Sequence, residues 1–296
     1  MNIKVMVIGA GGAIGFHIAR GLAEKCEVIP VIHDFRPAGM SGAVRVDITN
    51  AEGVENLVRR IRPDAVVNTA ALTNADFCEK NRDAARLVNV TGARNVARAC
   101  EKSGARLVHY STDLVFDGRK GMYREEDEPN PLNTYAVTKL ESEKAVLSIS
   151  PGSAVLRTAI VYGRGSGRAP SFFETVIEKV KKGESVPLFV DQYRTFLYVE
   201  DSAAAVFSII ENGLSGVYHV SGDERAGRYD FMARVLRGLE LPTESLERVR
   251  MTDLPDLAPR PADCSLDNSK LKRETGWRPS GFEESLEKIR KFYYNS

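Results

Sequence analysis

Long apolar runs, clustered cysteines and an excess of either charge are all missing from this 296-residue chain, and each absence removes a class of function. No apolar stretch approaches the roughly 20 residues that span a bilayer. Met1-Asn2-Ile3-Lys4 runs straight into a strand-like segment, so the expectation is a cytoplasmic protein without membrane contact. The 41 basic and 40 acidic residues leave a formal charge of +1, and no basic block is long enough to grip a nucleic-acid polymer. Cys26, Cys78, Cys100 and Cys264 are scattered without a Cys-x-x-Cys pair, and no histidine stands at ligand spacing. That pattern predicts reduced cysteines that serve as packing, and no metal site. Internal repeats and low-complexity tracts are also lacking. What is present is 43% hydrophobic residues, enough for one large domain or a domain with a smaller lobe.

The first pattern is an apolar run from Ile3 to Ile8, then Gly9-Ala10-Gly11-Gly12-Ala13-Ile14-Gly15, then helical periodicity through Phe16, Ile18, Ala19 and Leu22. Strand, glycine turn and helix in this order let backbone N–H groups approach a pyrophosphate at the positive end of a helix. Gly9, Gly12 and Gly15 carry the spacing, with Ala13 and Ile14 opening the helix. A second strand, Glu27 to Ile32, ends in His33-Asp34-Phe35-Arg36. A carboxylate there binds adenosine ribose hydroxyls, whereas basic residues accommodate the extra phosphate of NADP. Asp34 argues for NAD(H), His33 and Arg36 for NADP(H); the balance leans to NADP(H). Asp47-Ile48 follows a short run from Val44 to Val46 and is placed for the adenine edge, although Asp47 also reads as a helix-entry residue.

Ala65 to Ala71 is an apolar strand whose last residues, Thr69, Ala70 and Ala71, are small enough for a flat ligand to approach the backbone. A long helix is expected from about Asn81 to Lys102, with Asn89 counted among the cofactor-binding candidates, although it also reads as tying the helix to the sheet or as simply solvated. Ala105 to His109 is a further strand that delivers Ser111, Thr112 and Asp113 at its carboxyl end, the edge where open parallel sheets bind ligands. After a polar loop, Asn133 or Thr134 caps a helix carrying Tyr135-Ala136-Val137-Thr138-Lys139. Residues four apart share a helix face, so Tyr135 and Lys139 present a phenol and an ammonium to one point. A nearby cation lowers a phenol that otherwise titrates near ~10, and a threonine hydroxyl can hold a carbonyl oxygen while the phenol protonates it. Ala154 to Val161 is the next strand. The alternation predicts an α/β fold of Rossmann type, a doubly wound parallel sheet, with a smaller C-terminal lobe. The expected division is a dinucleotide-binding domain over 1–162, with 195–215 packed on it, and a substrate lobe from 163–194 and 216–296.

With the glycine turn, Thr112, Tyr135 and Lys139, the chain resembles the extended short-chain dehydrogenase/reductases along nearly its whole length. Tyr110-Ser111-Thr112-Asp113-Leu114-Val115-Phe116-Asp117-Gly118, Pro131-Leu132-Asn133-Thr134-Tyr135, Asp191-Gln192 and Arg260-Pro261 with Ser265-Leu266-Asp267 are most similar to the dTDP-4-dehydrorhamnose reductase family. The resemblance implies Tyr135 as proton donor, Lys139 as ribose anchor and tuner, and Thr112 as carbonyl holder. It further implies hydride delivery to the C4 ketone of a nucleotide-diphosphate 6-deoxy sugar, and a homodimer through helices flanking the sheet. Arg194 and Arg260 would pair with the substrate diphosphate or, equally, form ion pairs of their own; Ser111, Thr112 and Asp113 would face the sugar. Tyr193-Arg194-Thr195-Phe196 departs from the Gly-x-Pro-Thr run of that family, and Ile160 stands where a Trp often lies beside the sugar. Two rivals remain. Tyr123-Arg124-Glu125-Glu126-Asp127 and Tyr218-His219-Val220-Ser221-Gly222 are similar to the non-catalytic regulatory subunit of methionine adenosyltransferase. A nucleotide-sugar epimerase is the other; Leu114 after Asp113, where a dehydratase usually carries Asp-Glu after the threonine, argues against dehydration.

Overall fold

Short runs of Val, Ile, Leu and Met, buried on both faces, make the central sheet. A computed structural model describes residues 3–168 and 170–294 of the chain. In chain order its first half holds β1 (Lys4–Ile8), α1 (Ala13–Leu22), β2 (Glu27–Ile32), β3 (Val44–Arg45), α2 (Ala51–Ile61), β4 (Ala65–Asn68), α3 (Ala75–Lys80), α4 (Arg82–Arg86), α5 (Ala93–Ser103), β5 (Arg106–Thr112), α6 (Thr134–Ile149) and β6 (Ala154–Thr158). The remainder comprises β7 (Val161–Tyr162), α7 (Phe172–Lys181), β8 (Val186–Phe189), β9 (Tyr193–Thr195), β10 (Leu197–Tyr198), α8 (Asp201–Glu211), β11 (Gly216–Val220), β12 (Arg225–Gly227), α9 (Arg228–Gly238), β13 (Leu246–Val249), α10 (Ser269–Thr275) and α11 (Phe282–Tyr294). Among the described residues no helix is long and apolar enough to cross a membrane.

The main sheet has seven strands in the order β3-β2-β1-β4-β5-β6-β11, every neighbouring pair parallel. This is a Rossmann-type sheet, and its order reverses between β1 and β4. Because side chains alternate across a strand, Val5, Val7, Val67, Val108 and Leu156 pack on one face with α1 and α8. Met6, Ile8, Val66, Leu107 and Val155 pack on the other with α2, α5 and α6. At a reversal of strand order the two flanking connections leave in opposite directions, which opens a crevice at the carboxyl ends. The glycine turn and the end of β4 both lie there.

A second apolar cluster joins α7, α9 and α11 with β8 and β10, through Phe173, Ile177, Leu188, Tyr198, Phe231, Met232, Leu236 and Leu286. The expected lobe boundary at 216 needs correction. β11 pairs with β6 and completes the main sheet, because Tyr218 and Val220 face one buried layer while Val217 packs on the other. The helix expected over 81–102 is also interrupted: α4 and α5 flank a π-helical stretch, Leu87–Gly92. The strand expected over 154–161 stops at Thr158, and Val161–Tyr162 pairs separately with β10. The four cysteines are free and buried.

Two glycines hold the turn at β1 for different reasons. Gly9 adopts φ +87, a left-handed conformation that other residues rarely take. At Gly15 a Cβ would collide with the Gly9 carbonyl oxygen and stand 2.6 Å from Thr69 Oγ1, so α1 can approach β4 this closely only without a side chain. Gly12 differs, since a Cβ there meets only the Gly9 carbonyl oxygen at 3.5 Å, an ordinary contact. Gly15→Val is therefore expected to cost about 1–3 kcal/mol by overpacking. Gly12→Ala should cost at most about 1 kcal/mol as a changed helix cap, its main effect being on ligand binding. Denaturant unfolding of the two variants checks the order, and equal losses would refute it.

Candidate active site

The three candidate catalytic residues come from two adjacent elements. Thr112 ends β5, and Tyr135 and Lys139 lie on the first turns of α6, whose start is held by Asn133: its Oδ1 accepts from the Ala136 N–H at 2.9 Å. Asn133 Nδ2 also donates to the Pro259 carbonyl at 2.9 Å, tying the helix entry to the C-terminal segment. Thr112, Tyr135 and Lys139 all line one cavity of about 250 Å³, together with Ile14, Thr69, Ala71, Ile160, Gln192, Arg194, Arg228 and Arg260.

Burial governs the protonation of this site. It pushes the Tyr135 phenol up, a rise that the Thr112 hydroxyl opposes and the Asp113 and Cys78 charges reinforce. Desolvation is the largest of these causes. Lys139 itself is 3% exposed and is lowered by burial from 10.5 to about 8, opposed by Glu143. Glu143 is one turn further along α6, but its carboxylate is claimed by Arg157, with Nη2 at 2.8 Å and Nε at 3.1 Å, and by the Ser111 hydroxyl.

His109 closes the other side. Asn68 Oδ1 accepts from the Ala70 N–H at 3.2 Å, which leaves Asn68 Nδ2 to donate to His109 Nδ1 at 3.3 Å. That network assigns the ring proton to Nε2, which donates to Ser142 Oγ at 3.0 Å; Ser142 in turn donates to the Lys139 carbonyl at 2.7 Å. Lys139 Nζ stands 3.4 Å from this Nε2, a nitrogen already carrying a proton, so the contact supplies no acceptor. The ammonium is thus buried without a counter-charge of its own.

A second depression of about 370 Å³ lies over the glycine turn, lined by Gly9, Gly11, Gly12, Ile32, His33, Phe35, Val46, Asp47, Ile48, Thr69, Ala70, Ala71, Leu72, Leu87, Val88 and Arg168. It shares Thr69 and Ala71 with the cavity, so the two adjoin. The α1 N-terminus opens into it. Gly12 caps without a side-chain bond, and Phe16 N–H is the first amide bonded to a helical carbonyl, leaving the Ala13, Ile14 and Gly15 amides without intrahelical acceptors. An anion site beside a flat apolar slot is the donor set a dinucleotide needs, so these residues fit such a cofactor.

Several expected binders are placed otherwise. Asn89 is 1% exposed and bonds the Leu72 N–H and carbonyl, at 2.8 and 3.0 Å, and Thr138 Oγ1 at 3.0 Å; it positions the loop after β4 and does not face the groove. Asp34 pairs with Arg168 at 2.8 Å, and Arg36 is exposed; the residue between them, Phe35, lines the groove instead. Asp47 lines the groove, yet its carboxylate accepts from the Thr49 N–H and hydroxyl, which hold it below its ordinary value. The N-cap of α2 is Asn50, so Asp47 is not the helix-entry residue.

Arg194, expected at a diphosphate, is 2% exposed. Its Nη1 and Nη2 donate to the carbonyls of Tyr193, Ala262 and Pro261, and its Nε lies 3.2 Å from Asp113. Burial still raises Asp113, with Arg194 opposing. Arg260 forms a two-point pair with Asp76, at 2.7 and 3.1 Å. The Ser111 hydroxyl donates to Glu143 rather than into the cavity. What the sequence reading missed is Arg228, Gln192, Arg168 and His109. Gln192 was quoted only as part of a motif, and nothing in the local pattern of Arg225-Ala226-Gly227-Arg228 marks one arginine as lining the cavity.

Comparison with known proteins follows this geometry. The family described as RmlD substrate binding domain matches residues 3–294. The chain is 34% identical over 284 residues to the probable low-salt glycan biosynthesis reductase Agl14 of Haloferax volcanii, covering 95% of each chain. It is 34% identical over 295 residues to methionine adenosyltransferase 2 subunit beta of Mus musculus, covering 96% of this chain and 87% of that one. The structure of dTDP-4-dehydrorhamnose reductase from Bacillus anthracis in complex with NADP matches with a TM-score of 0.88 at 29% identity, covering 98% of this chain and 99% of the other.

The unmatched charge on Lys139 has a consequence for stability. Its folded value of about 8 lies below the ordinary 10.5, so the folded state disfavours the proton that the unfolded state keeps. Below pH 8 the full penalty applies, on the order of 3 kcal/mol. Between pH 8 and 10.5 stability rises as the folded amine alone loses its proton. Lys139→Met is therefore expected to melt above the unaltered, ligand-free chain at pH 7, with the difference narrowing across that window. A difference independent of pH would exclude the buried charge as its source.

Proposed function

The chain belongs to the RmlD substrate binding domain family, and within it we propose a nucleotide-sugar reductase: NAD(P)H-dependent reduction of the C4 ketone of a nucleotide-diphosphate 4-keto-6-deoxy sugar. The observation that carries this reading is the convergence of Thr112, Tyr135 and Lys139 in a cavity that adjoins the glycine-turn groove. The likeness to a dTDP-4-dehydrorhamnose reductase bound to NADP supports the same chemistry.

On this reading a bound nicotinamide supplies the hydride. The residues of the chain do the rest. The α1 amides and the small residues Thr69, Ala70 and Ala71 hold the dinucleotide along the groove, and Lys139 donates to ribose hydroxyls, which provide the acceptors that the protein itself denies it. Thr112 holds the substrate ketone oxygen. Tyr135, kept protonated at neutral pH by burial, donates its proton to that oxygen as the alkoxide forms, and the Lys139 ammonium on the same helix face stabilises the phenolate left behind. The ketone becomes an alcohol with one hydride at carbon and one proton at oxygen. NADP(H) is the preferred partner on the charge pattern, because Arg168 already neutralises Asp34 beside His33. NAD(H) remains the alternative.

The likeness to methionine adenosyltransferase 2 subunit beta supports a second reading, a binding subunit that holds NADP without turnover. A panel of nucleotide 4-keto-6-deoxy sugars, including dTDP-4-keto-6-deoxy-mannose, separates the two. Net oxidation of NADPH or NADH is expected, with Tyr135→Phe losing about 10²–10⁴-fold in kcat while still binding the dinucleotide. Isomerised sugar without net oxidation would indicate an epimerase. Cofactor binding with no turnover anywhere in the panel, together with capture of the catalytic synthetase, would favour the subunit.

A further inference from the structure

The cavity holds three guanidinium groups, and two of them are matched by acid. Arg194 has Asp113 and three carbonyls; Arg260 has both oxygens of Asp76. Arg228, the first residue of α9, has no carboxylate within ion-pair distance among the described residues. Its guanidinium lies over the Phe172 ring, 3.8 Å from the ring centre, with Phe189 at 5.9 Å. Nη1 donates to Gln192 Oε1 at 3.2 Å, and the backbone N–H of Arg228 donates to the Gln192 carbonyl at 2.8 Å. Beyond that the donors go unmet: both Arg228 Nε and Gln192 Nε2 are buried without an acceptor. Arg228 is pushed down to about 10, first by burial and then by the charges of Arg194 and Arg260.

Buried donors left without acceptors are costly, and here one of them belongs to a half-buried side chain that keeps its charge. Stacking on Phe172 holds the group in place but supplies no oxygen. A negatively charged partner rich in acceptor oxygens would meet this flat fork of N–H groups; a carboxylate or a phosphoryl group fits, and a nucleotide-linked sugar carries the latter. We propose that Arg228 and Gln192 form the phosphoryl-recognition pair of this cavity. Resting on the nucleotide-sugar reading, the pair holds the substrate diphosphate, while Arg194 and Arg260 serve as internal struts. Arg228 thereby sets specificity for a nucleotide-linked sugar over a free one.

The test is equilibrium titration of the full chain, saturated with NADP so that the dinucleotide groove is filled, with dTDP, UDP and GDP against their nucleosides. The unaltered chain should bind at least one diphosphate ten-fold or more tighter than its nucleoside. Arg228→Met should weaken that binding at least about 30-fold and remove the preference, and Arg228→Lys should restore part of it. Gln192→Glu keeps the arginine but gives it a carboxylate, and should abolish the preference as well. It decides the matter if Arg228→Met fails to fold, with retained NADP binding as the check. Equal affinity for diphosphate and nucleoside in the unaltered chain, or diphosphate binding undiminished in Arg228→Met and Gln192→Glu, overturns the proposal. Turnover of a keto-sugar with an unchanged KM in Arg228→Met would overturn it too and leave the reductase reading standing. Diphosphate binding through Arg228 with no keto-sugar reduced would do the reverse.

Discussion

A buried ammonium without an acceptor of its own organises this site. Lys139 sits within 3.4 Å of a histidine nitrogen that cannot accept, and one turn from a carboxylate that Arg157 and Ser111 have taken. Each of those arrangements needs the fold. His109, Ser111 and Arg157 project from neighbouring parallel strands, while Ser142 and Glu143 come from α6, so the helix must lie across β5 and β6 in one register for the network to close. The penalty is a large part of the ~5–15 kcal/mol by which a domain is stable. The seven-stranded sheet with two buried faces is what offsets it. A cation kept in this state is primed for hydroxyl ligands, since any acceptor that enters relieves it.

The same logic sorts the arginines. Whether a buried guanidinium serves the fold or a ligand depends on whether a carboxylate has been provided for it. Asp113 and Asp76 make struts of Arg194 and Arg260: one locks the end of β5 to β9, the other the Pro-rich segment near 259–261 to α3. Arg228 received aromatic faces instead. An aromatic face holds the group in place without cancelling its charge, so the electrostatic demand passes to whatever enters the cavity.

Much of this was legible in the sequence, and the divide between what was and what was not is physical. The parallel sheet showed in short apolar runs such as Val5–Ile8 and Ala65–Val67, because strands buried on both faces need no alternation. The glycine turn and the Tyr135–Lys139 pair were legible because their geometry is local: a turn, a helix pitch, an Asn133 cap. Long-range partners were not. Arg260 and Asp76 lie 184 residues apart, and no pattern along the chain announces that they meet. Asn89 shows the intermediate case, where a polar residue amid Val88 and Val90 is visible as anomalous but its π-helical turn, and hence its grip on the loop after β4, is not. β11 misled for a related reason: a short apolar strand late in the chain gives no sign of which sheet it completes.

The choice between an enzyme and a cofactor-holding subunit turns on which of these features a dinucleotide alone would explain. The uncapped α1 terminus and the flat apolar groove face a ligand of that kind, so they are equally at home in either. Thr112 and Arg228 are not. Both line the cavity that opens beyond the groove, and neither lines the groove itself. Arg228 lines that cavity with its Nε unpaired, an arrangement that the dinucleotide groove does not account for. Its presence is an argument for a substrate, carried by electrostatics that a dinucleotide does not satisfy.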